Sequence, residues 1–447
     1  MARPSVPHNR MPQEWEESVI SPDALATKAP LADKTALVCH VGLVLLSGGT
    51  GGWQVRNAMN QIARLLGIRC HVDVSLLGLE CSCVEDAEHC TQVVTLHTSG
   101  VNTHRIWMLE QFVNQVTTEG TDLTVIEFHR ELSRIEATKP LYTCAMQGLA
   151  AGLACAAFVF LLGGDVEEML CAGIGAGVGN YIRNKMLRRG LNQMFSSALS
   201  VAAACLCYFA AVSVLEVLLG IPAQNEAGYI GAMLFVIPGF PLVTSGLDIA
   251  KLDMRSGFER FGYAFTVIVV ATLAGWIVAS VVGLAPGALV PLDLTPAQYL
   301  CLRLLMTFIG VYFFSVMFNS PARMCAVAGC VGAVGNTLRL ELIDLTGMAP
   351  ELAAFLGALA SGLLVFVAIR YARALHIPRF PRTCITVPSI VIMVPGLYMY
   401  HAVYALAVFD MTTALDWGLR ALIITAFLPI GLAFARILTD PRWRYCT

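Results

Sequence analysis

Two Pro-Gly pairs stand inside apolar segments: Pro238-Gly239 in FVIPGFPLVTSGLD and Pro395-Gly396 in IVIMVPGLYMYHAV. Proline removes a backbone donor and clashes with the preceding turn, and hydrocarbon offers no water to the freed carbonyls. A helix broken at such a point leaves bare carbonyls on one half, and bare N–H groups with a positive dipole end on the other. Two such breaks facing each other could hold a zwitterion, with its carboxylate at an N-terminal end and its ammonium at the carbonyls. Without a polar cavity, the same pairs are packing kinks.

Other side chains extend this chemistry. Thr244 and Ser245 offer hydroxyls to a substrate, and Asp248 offers a carboxylate that pairs with an ammonium or carries a proton, unless it already lies at the surface beside Lys251. After the second break come Tyr398, Tyr400 and His401. An intramembrane histidine suits proton transfer, or is a satisfied core residue. Asn180 and Asn336 are either polar ligands or clamps between closely packed helices. The candidate substrate-binding set is therefore Pro238, Gly239, Thr244, Ser245, Asp248, Asn180, Asn336, Pro395, Gly396 and Tyr398, with His401 and Asp248 for proton coupling. Arg303, inside another apolar run, either snorkels to the interface or meets a carboxylate.

The elements that must position these residues are membrane helices. Of 447 residues, 57% are hydrophobic and 13% charged, against about 25% charged in a soluble globular protein. The net charge of −2 gives no case for nucleic acid. Ten apolar spans follow Leu141: 141–162, 166–182, 194–219, 228–247, 262–284, 297–318, 322–338, 351–371, 385–409 and 418–437. Most reach the roughly 20 residues that a span needs. Pro238 lies about 15 Å along its helix from Gly228, half the depth of a roughly 30 Å hydrocarbon core.

Loop charge sets the orientation. With the N-terminal region inside, fifteen Lys/Arg fall in inside segments (183–189, 251–260, 323, 370–382 and 436–444), and outside segments hold two, Arg339 and Arg420. Both termini are expected in the cytoplasm, with the chain in the cell (inner) membrane. The polar N-terminus lacks the apolar run of a secretory signal.

The spans repeat. AGIGAGVGNYIR (Ala172–Arg183) matches AGCVGAVGNTLR (Ala328–Arg339) at an offset of 156, and Pro238-Gly239 maps to Pro395-Gly396 at 157. Each copy holds five spans, and an odd number makes the second copy enter from the opposite face. The expected fold is a polytopic α-helical membrane protein of two five-helix inverted repeats, 140–290 and 291–447, with interrupted helices at the midplane as in secondary transporters. A disordered tail (1–30) and a small soluble α/β domain (31–139) precede them. That domain reads as helices around Ser47-Gly48-Gly49, strands over 71–83 and 92–100, then two helices.

Cys70-His71, Cys81, Cys83, His89-Cys90 and His97 are dense, but no Cys-x-x-Cys pair frames them, so neither a metal nor a disulfide framework is expected. Ser47-Gly48-Gly49-Thr50-Gly51-Gly52 lacks the Gly-Lys-Ser/Thr ending of a nucleotide-binding loop. No cofactor is expected, and an ion gradient is left to drive transport.

IPGFPLVTSGLDIAKLDMRSGFER, LLSGGTGGWQVRNAMNQIARLLGI, PARMCAVAGCVGAVGN and VPSIVIMVPGLYMY resemble the threonine/serine exporter (ThrE-type) family over residues 35–435. Pro238, Gly239, Asp248, Gly257 and Arg260 match its motif. The resemblance implies a cytoplasmic N-terminal domain, ten membrane helices and proton-driven export of threonine and serine. Split relatives are associated with dicarboxylate export. The expected function is secondary active export of small amino acids by alternating access, not catalysis. Partners are the substrate, protons and lipid, and a homo-oligomer is allowed. The alternatives are a small-dicarboxylate exporter, a membrane-anchored hydrolase acting through the N-terminal domain, and a channel.

Overall fold

A computed structural model describes residues 13–219, 228–283, 292, 294–374 and 379–445. The chain divides into two compact units: one runs to Lys139 and adds Lys251–Glu259, and the other comprises Pro140–Ala250 and Arg260–Thr447.

The first unit is built around helix α1 (Leu31–Ser47), whose apolar run is buried almost throughout. Around it pack α2 (Gly52–Leu65), α3 (Thr103–Glu119), α4 (Val125–Glu136) and an antiparallel sheet of β1 (Arg69–Val74), β2 (Gly78–Glu85) and β3 (Glu88–Thr95), in that order. Charges on α1 are met locally. The Asp33 carboxylate accepts the backbone N–H groups of Ile20 and Ser21, both at 2.9 Å, and Lys34 pairs with Glu85. Thr124 and Glu127 form a reciprocal capping box that starts α4.

Two expectations change here. The strand expected over 71–83 is two strands, because Ser75 turns the chain: its N–H and hydroxyl both donate to the Gly78 carbonyl, at 2.9 and 3.0 Å. The third strand ends at Thr95 rather than 100. The tail expected to be disordered over 1–30 is ordered from residue 13 on. Trp15 is buried, a 3₁₀ turn spans Ala26–Lys28, and Leu25 bridges to Thr124.

The second unit is helical. It contains α5 (Cys144–Leu161), α6 (Val166–Arg188), α7 (Gln193–Leu219), α8 (Gly228–Met233), α9 (Gly239–Ala250), most of α10 (Met254–Val282), α11 (Pro296–Met317), α12 (Ala322–Thr346), α13 (Pro350–Ala374), α14 (Arg382–Val391), α15 (Gly396–Ala407) and α16 (Met411–Thr439). Among the described residues, seven helices are long and apolar enough to cross a membrane, and up to nine spans result if the bent pairs α8/α9 and α14/α15 each count as one. The expected span 166–182 folds as α6 but is not among them. Glu167, Glu168, Arg183, Lys185 and Arg188 crowd its ends, and its middle is glycine rather than aliphatic. Residues 1–12 of the expected tail and residue 284 of the expected fifth span lie outside the described residues.

Some of the helix pairings within this unit recur. α6 touches α5, α7 and α8, and α12 touches α11, α13 and α14. α7 touches α8 as α13 touches α14, and α5 packs on α11.

Candidate functional site

The two breaks share one hydrogen-bond pattern. At the first, α8 tightens into a 3₁₀ turn over Leu234–Val236. Ile237 N–H donates to Leu234 O (3.1 Å), Gly239 N–H to Ile237 O (2.8 Å) and Leu242 N–H to Pro238 O (3.0 Å). At the second, Val394 N–H donates to Val391 O (3.1 Å), Gly396 N–H to Val394 O (2.8 Å) and Met399 N–H to Pro395 O (3.0 Å). Every donor and acceptor of the first set maps to the second at an offset of 157. Pro238 and Pro395 supply the carbonyl that opens the following helix. Pro241 falls in the first turn of α9, where no N–H is needed. The helices bend by 60° and 52° at these points.

The breaks also interlock. A Cβ placed on Gly239 would lie 3.0 Å from Val391 Cγ1 and 3.4 Å from Val394 Cγ2, and one on Gly396 would lie 2.4 Å from Ile237 Cδ1 and 2.8 Å from Leu234 Cδ2. Leu234, Ile237 and Gly239 become Val391, Val394 and Gly396 on adding 157, so each break seats its glycine against the same two positions of the other. Gly179 and Gly335 behave alike at an offset of 156. Gly179 abuts Ser200 O and Ala204 on α7, and Gly335 abuts Gly357 O and Ser361 on α13.

A cavity of about 60 Å³ opens at the second break. Pro395, Gly396 and Tyr398 line it, with Arg339 from α12 and apolar walls that include Phe158 and Ile424. The structure thus gathers three of the expected residues around an arginine outside the expected set. Sequence charge counting puts Arg339 in an outer loop. Instead it sits within α12, its Nη1 donating to the Met393 carbonyl at 3.2 Å and its buried Nε having no hydrogen-bond partner. The available signal is its place in GNTLR, twin to Arg183 in GNYIR.

The other expected residues are engaged elsewhere. Thr244 and Ser245 hydroxyls donate back to their own helix, at Phe240 O (3.0 Å) and Leu242 O (2.7 Å). Asp248 is 2% exposed and pairs with the equally buried Arg260 at 3.4 Å, so it is not at a surface. Asn180 donates to Gln147 O at 2.7 Å and Asn336 to Thr307 Oγ1 at 3.1 Å. Both are clamps onto the preceding helix, although Asn336 Oδ1 stays buried without a partner. His401 stacks on Trp417, ring centres 4.6 Å apart, while Tyr400 hydrogen-bonds Tyr229 hydroxyl to hydroxyl at 2.7 Å. Arg303 bridges Glu341 and Asp344, so the carboxylates that it meets are the protein's own.

The first unit holds a polar group that sequence spacing does not reveal. His40 and His129 meet Nδ1 to Nδ1 at 2.9 Å, Trp15 stacks on His40 at 4.5 Å, and Glu136 approaches His40 Nε2 at 3.8 Å. Burial holds both imidazoles below the usual histidine range, His129 at about 3, so they are neutral near pH 7. Cys70 pairs across the sheet with Cys83. The neighbouring Cys70 and Cys81 thiols draw the Cys83 thiol below its ordinary value. Among the described residues, no group of three or more His, Cys, Asp or Glu side chains is placed to hold a metal ion.

Comparison with known proteins follows the same two halves. A family model described as "Putative threonine/serine exporter" matches residues 36–282, and a second, "Threonine/Serine exporter, ThrE", matches 303–438. The chain is similar to the "Probable succinate transporter subunit YjjP" of Escherichia coli (strain K12), 24% identical over 249 residues, which cover 55% of this chain and 93% of that protein. It is also similar to the protein of the same name from Klebsiella aerogenes, 24% identical over 259 residues, 57% of this chain and 95% of that one. No solved structure matches. With one bent, apolar helix pair inside each matched region, the chain belongs to the threonine/serine exporter (ThrE) family of membrane transporters.

Proposed function

We propose that this protein is a secondary active exporter of threonine and serine, driven by protons and working by alternating access, without a catalytic step. The observation that carries this reading is the reciprocal interlock of the two broken helices. Broken helices in paired repeats are where secondary transporters hold substrate. A contact that recurs with its partners exchanged is what a two-fold relation between five-helix halves produces. The matched scheme of helix neighbours and the charge asymmetry of the loops support ten helices in two inverted repeats, with both termini cytoplasmic and the chain in the inner membrane.

A second reading, export of a small dicarboxylate, is favoured by the printed name of the bacterial relatives. Those relatives are called subunits, and they match only about half of this chain, which supports a single polypeptide uniting what two chains do there.

The test is flux. The full chain is reconstituted in vesicles loaded with labelled threonine, serine or succinate, and a pH gradient is imposed. Threonine and serine should cross faster with the gradient, and a protonophore should abolish the difference. Succinate moving in their place would shift the assignment to dicarboxylates. Flux indifferent to any gradient would mean a channel, and no flux of any of the three would sink the exporter reading.

A further inference from the structure

We infer that Arg339 is the carboxylate anchor of the substrate cavity at the second helix break, taking one carboxylate of a small organic acid or amino acid. The inference rests on the export reading for its biological meaning, but on local geometry for its chemistry.

A guanidinium carries five N–H donors in a planar fork that matches a carboxylate. Of these, Nη1 is used on the Met393 carbonyl, and Nε is buried with no partner. Among the described residues, no carboxylate lies within ion-pair distance of Arg339. The two nearest along α12, Glu341 and Asp344, are both engaged by Arg303. The buried Arg260, by contrast, has an Asp248 carboxylate at 3.4 Å. Arg339 is partly buried and lines the cavity without a counter-charge, and withdrawing such a charge from water is costly, so its guanidinium on that wall is placed to receive an anion.

The rest of the cavity agrees. Its floor is the start of α15. The first i→i−4 bond there belongs to Met399, so the amides of Leu397 and Tyr398 precede the helical ladder and carry its positive dipole end. Both residues line the cavity. Arginine and helix terminus therefore converge on one negative group. The remaining walls, among them Phe158, Leu162, Ile392 and Ile424, are apolar, so only one carboxylate is provided for. The volume of about 60 Å³ corresponds to roughly two water molecules at their share of liquid volume, the scale of a carboxylate group.

The test pairs binding with flux on the full-length protein. Equilibrium binding of labelled L-threonine and succinate is measured in detergent for wild type, Arg339→Gln and Arg339→Lys, and flux is measured in vesicles. L-threoninamide and succinamide, which lack the carboxylates, serve as competitors. Arg339→Gln should weaken binding about ten- to hundred-fold, the loss of a hydrogen-bonded charge pair, and Arg339→Lys should recover part of it. Neither amide should compete on wild type, a result that needs no variant to fold. Competition by the amides as strong as by the acids would overturn the inference, as would Arg339→Gln binding within two-fold of wild type, or no binding of either acid to wild type. Binding that depends on Arg339 without flux would retain the anchor and remove the exporter. Gradient-driven flux with an unchanged KM in Arg339→Gln would do the reverse.

Discussion

Asp248 and Arg260 are each 2% exposed and 3.4 Å apart, so each replaces part of the other's lost solvation. Removing one partner of such a pair costs about 3–5 kcal/mol, whereas replacing both with apolar residues of similar size is often neutral or better. Asp248→Asn should therefore lower the thermal stability of the detergent-solubilised protein by several degrees, and Asp248→Leu with Arg260→Met should restore it. If Asp248→Asn melts like wild type, the pair is not structural and a proton-carrying role regains ground. His129 gives a second residue-level expectation. Burial holds its folded pKa near 3, against about 6.5 in an unfolded chain. Between those values the unfolded state binds more protons, so stability falls as pH drops through that window, by up to about 1.4 kcal/mol per pH unit. Full-length protein should resist proteolysis within its first 139 residues at pH 7.5 and lose that resistance toward pH 5, with a shallower slope in His129→Phe. At this scale the sequence is only partly legible. Pro395, Gly396 and Tyr398 announce the cavity because proline and glycine declare a break wherever they stand. Arg339 does not, because a charge near the end of an apolar run reads the same whether it faces water or a buried carbonyl. Thr244 and Ser245 show a related limit: a helix carbonyl one turn back takes the hydroxyl proton that spacing alone leaves free.

At the level of elements, the bent helices rest on a steric fit that mutation can probe from both sides. A methyl on Gly396 would meet Ile237 Cδ1 at 2.4 Å, too close without movement, while one on Gly239 would meet Val391 at 3.0 Å, a smaller intrusion. Gly396→Ala should therefore impair transport more than Gly239→Ala, and Ile237→Val, which removes the obstructing methyl, should rescue Gly396→Ala. Flux measured across the four proteins decides it, and an unimpaired Gly396→Ala would show that the fit has slack. The breaks are readable in the chain because their signal is local. The turn at Ser75 that splits the expected long strand is not, because it depends on serine donating to the Gly78 carbonyl within an otherwise strand-like run. α6 shows the opposite limit. Its glycines permit close helix packing and lower its hydropathy together, so the feature that fits it to its neighbours also hides it from a count of apolar spans.

Over the whole chain, a change near Pro140 was legible from hydropathy, because residues before it contain no apolar run of membrane length. The assignment of Lys251–Glu259 to the first unit was not, since its partners lie far back in sequence: Arg255 pairs with Asp73, and Asp253 with Arg56 at 3.1 Å. Charge reversal at Asp253 should loosen that segment, and Arg56→Asp combined with Asp253→Arg should restore it, read by protease sensitivity between residues 251 and 259. The interlock of the two breaks has a consequence of another kind. A surface that meets its own counterpart through the same residues, exchanged at one offset, is self-complementary. Two separate half-length chains carrying it could close the same contact between them. Joining them in one polypeptide leaves that contact chemistry unchanged and alters only the effective concentration at which the halves meet. Cutting the chain between the two halves should therefore leave a working transporter wherever both halves are made together.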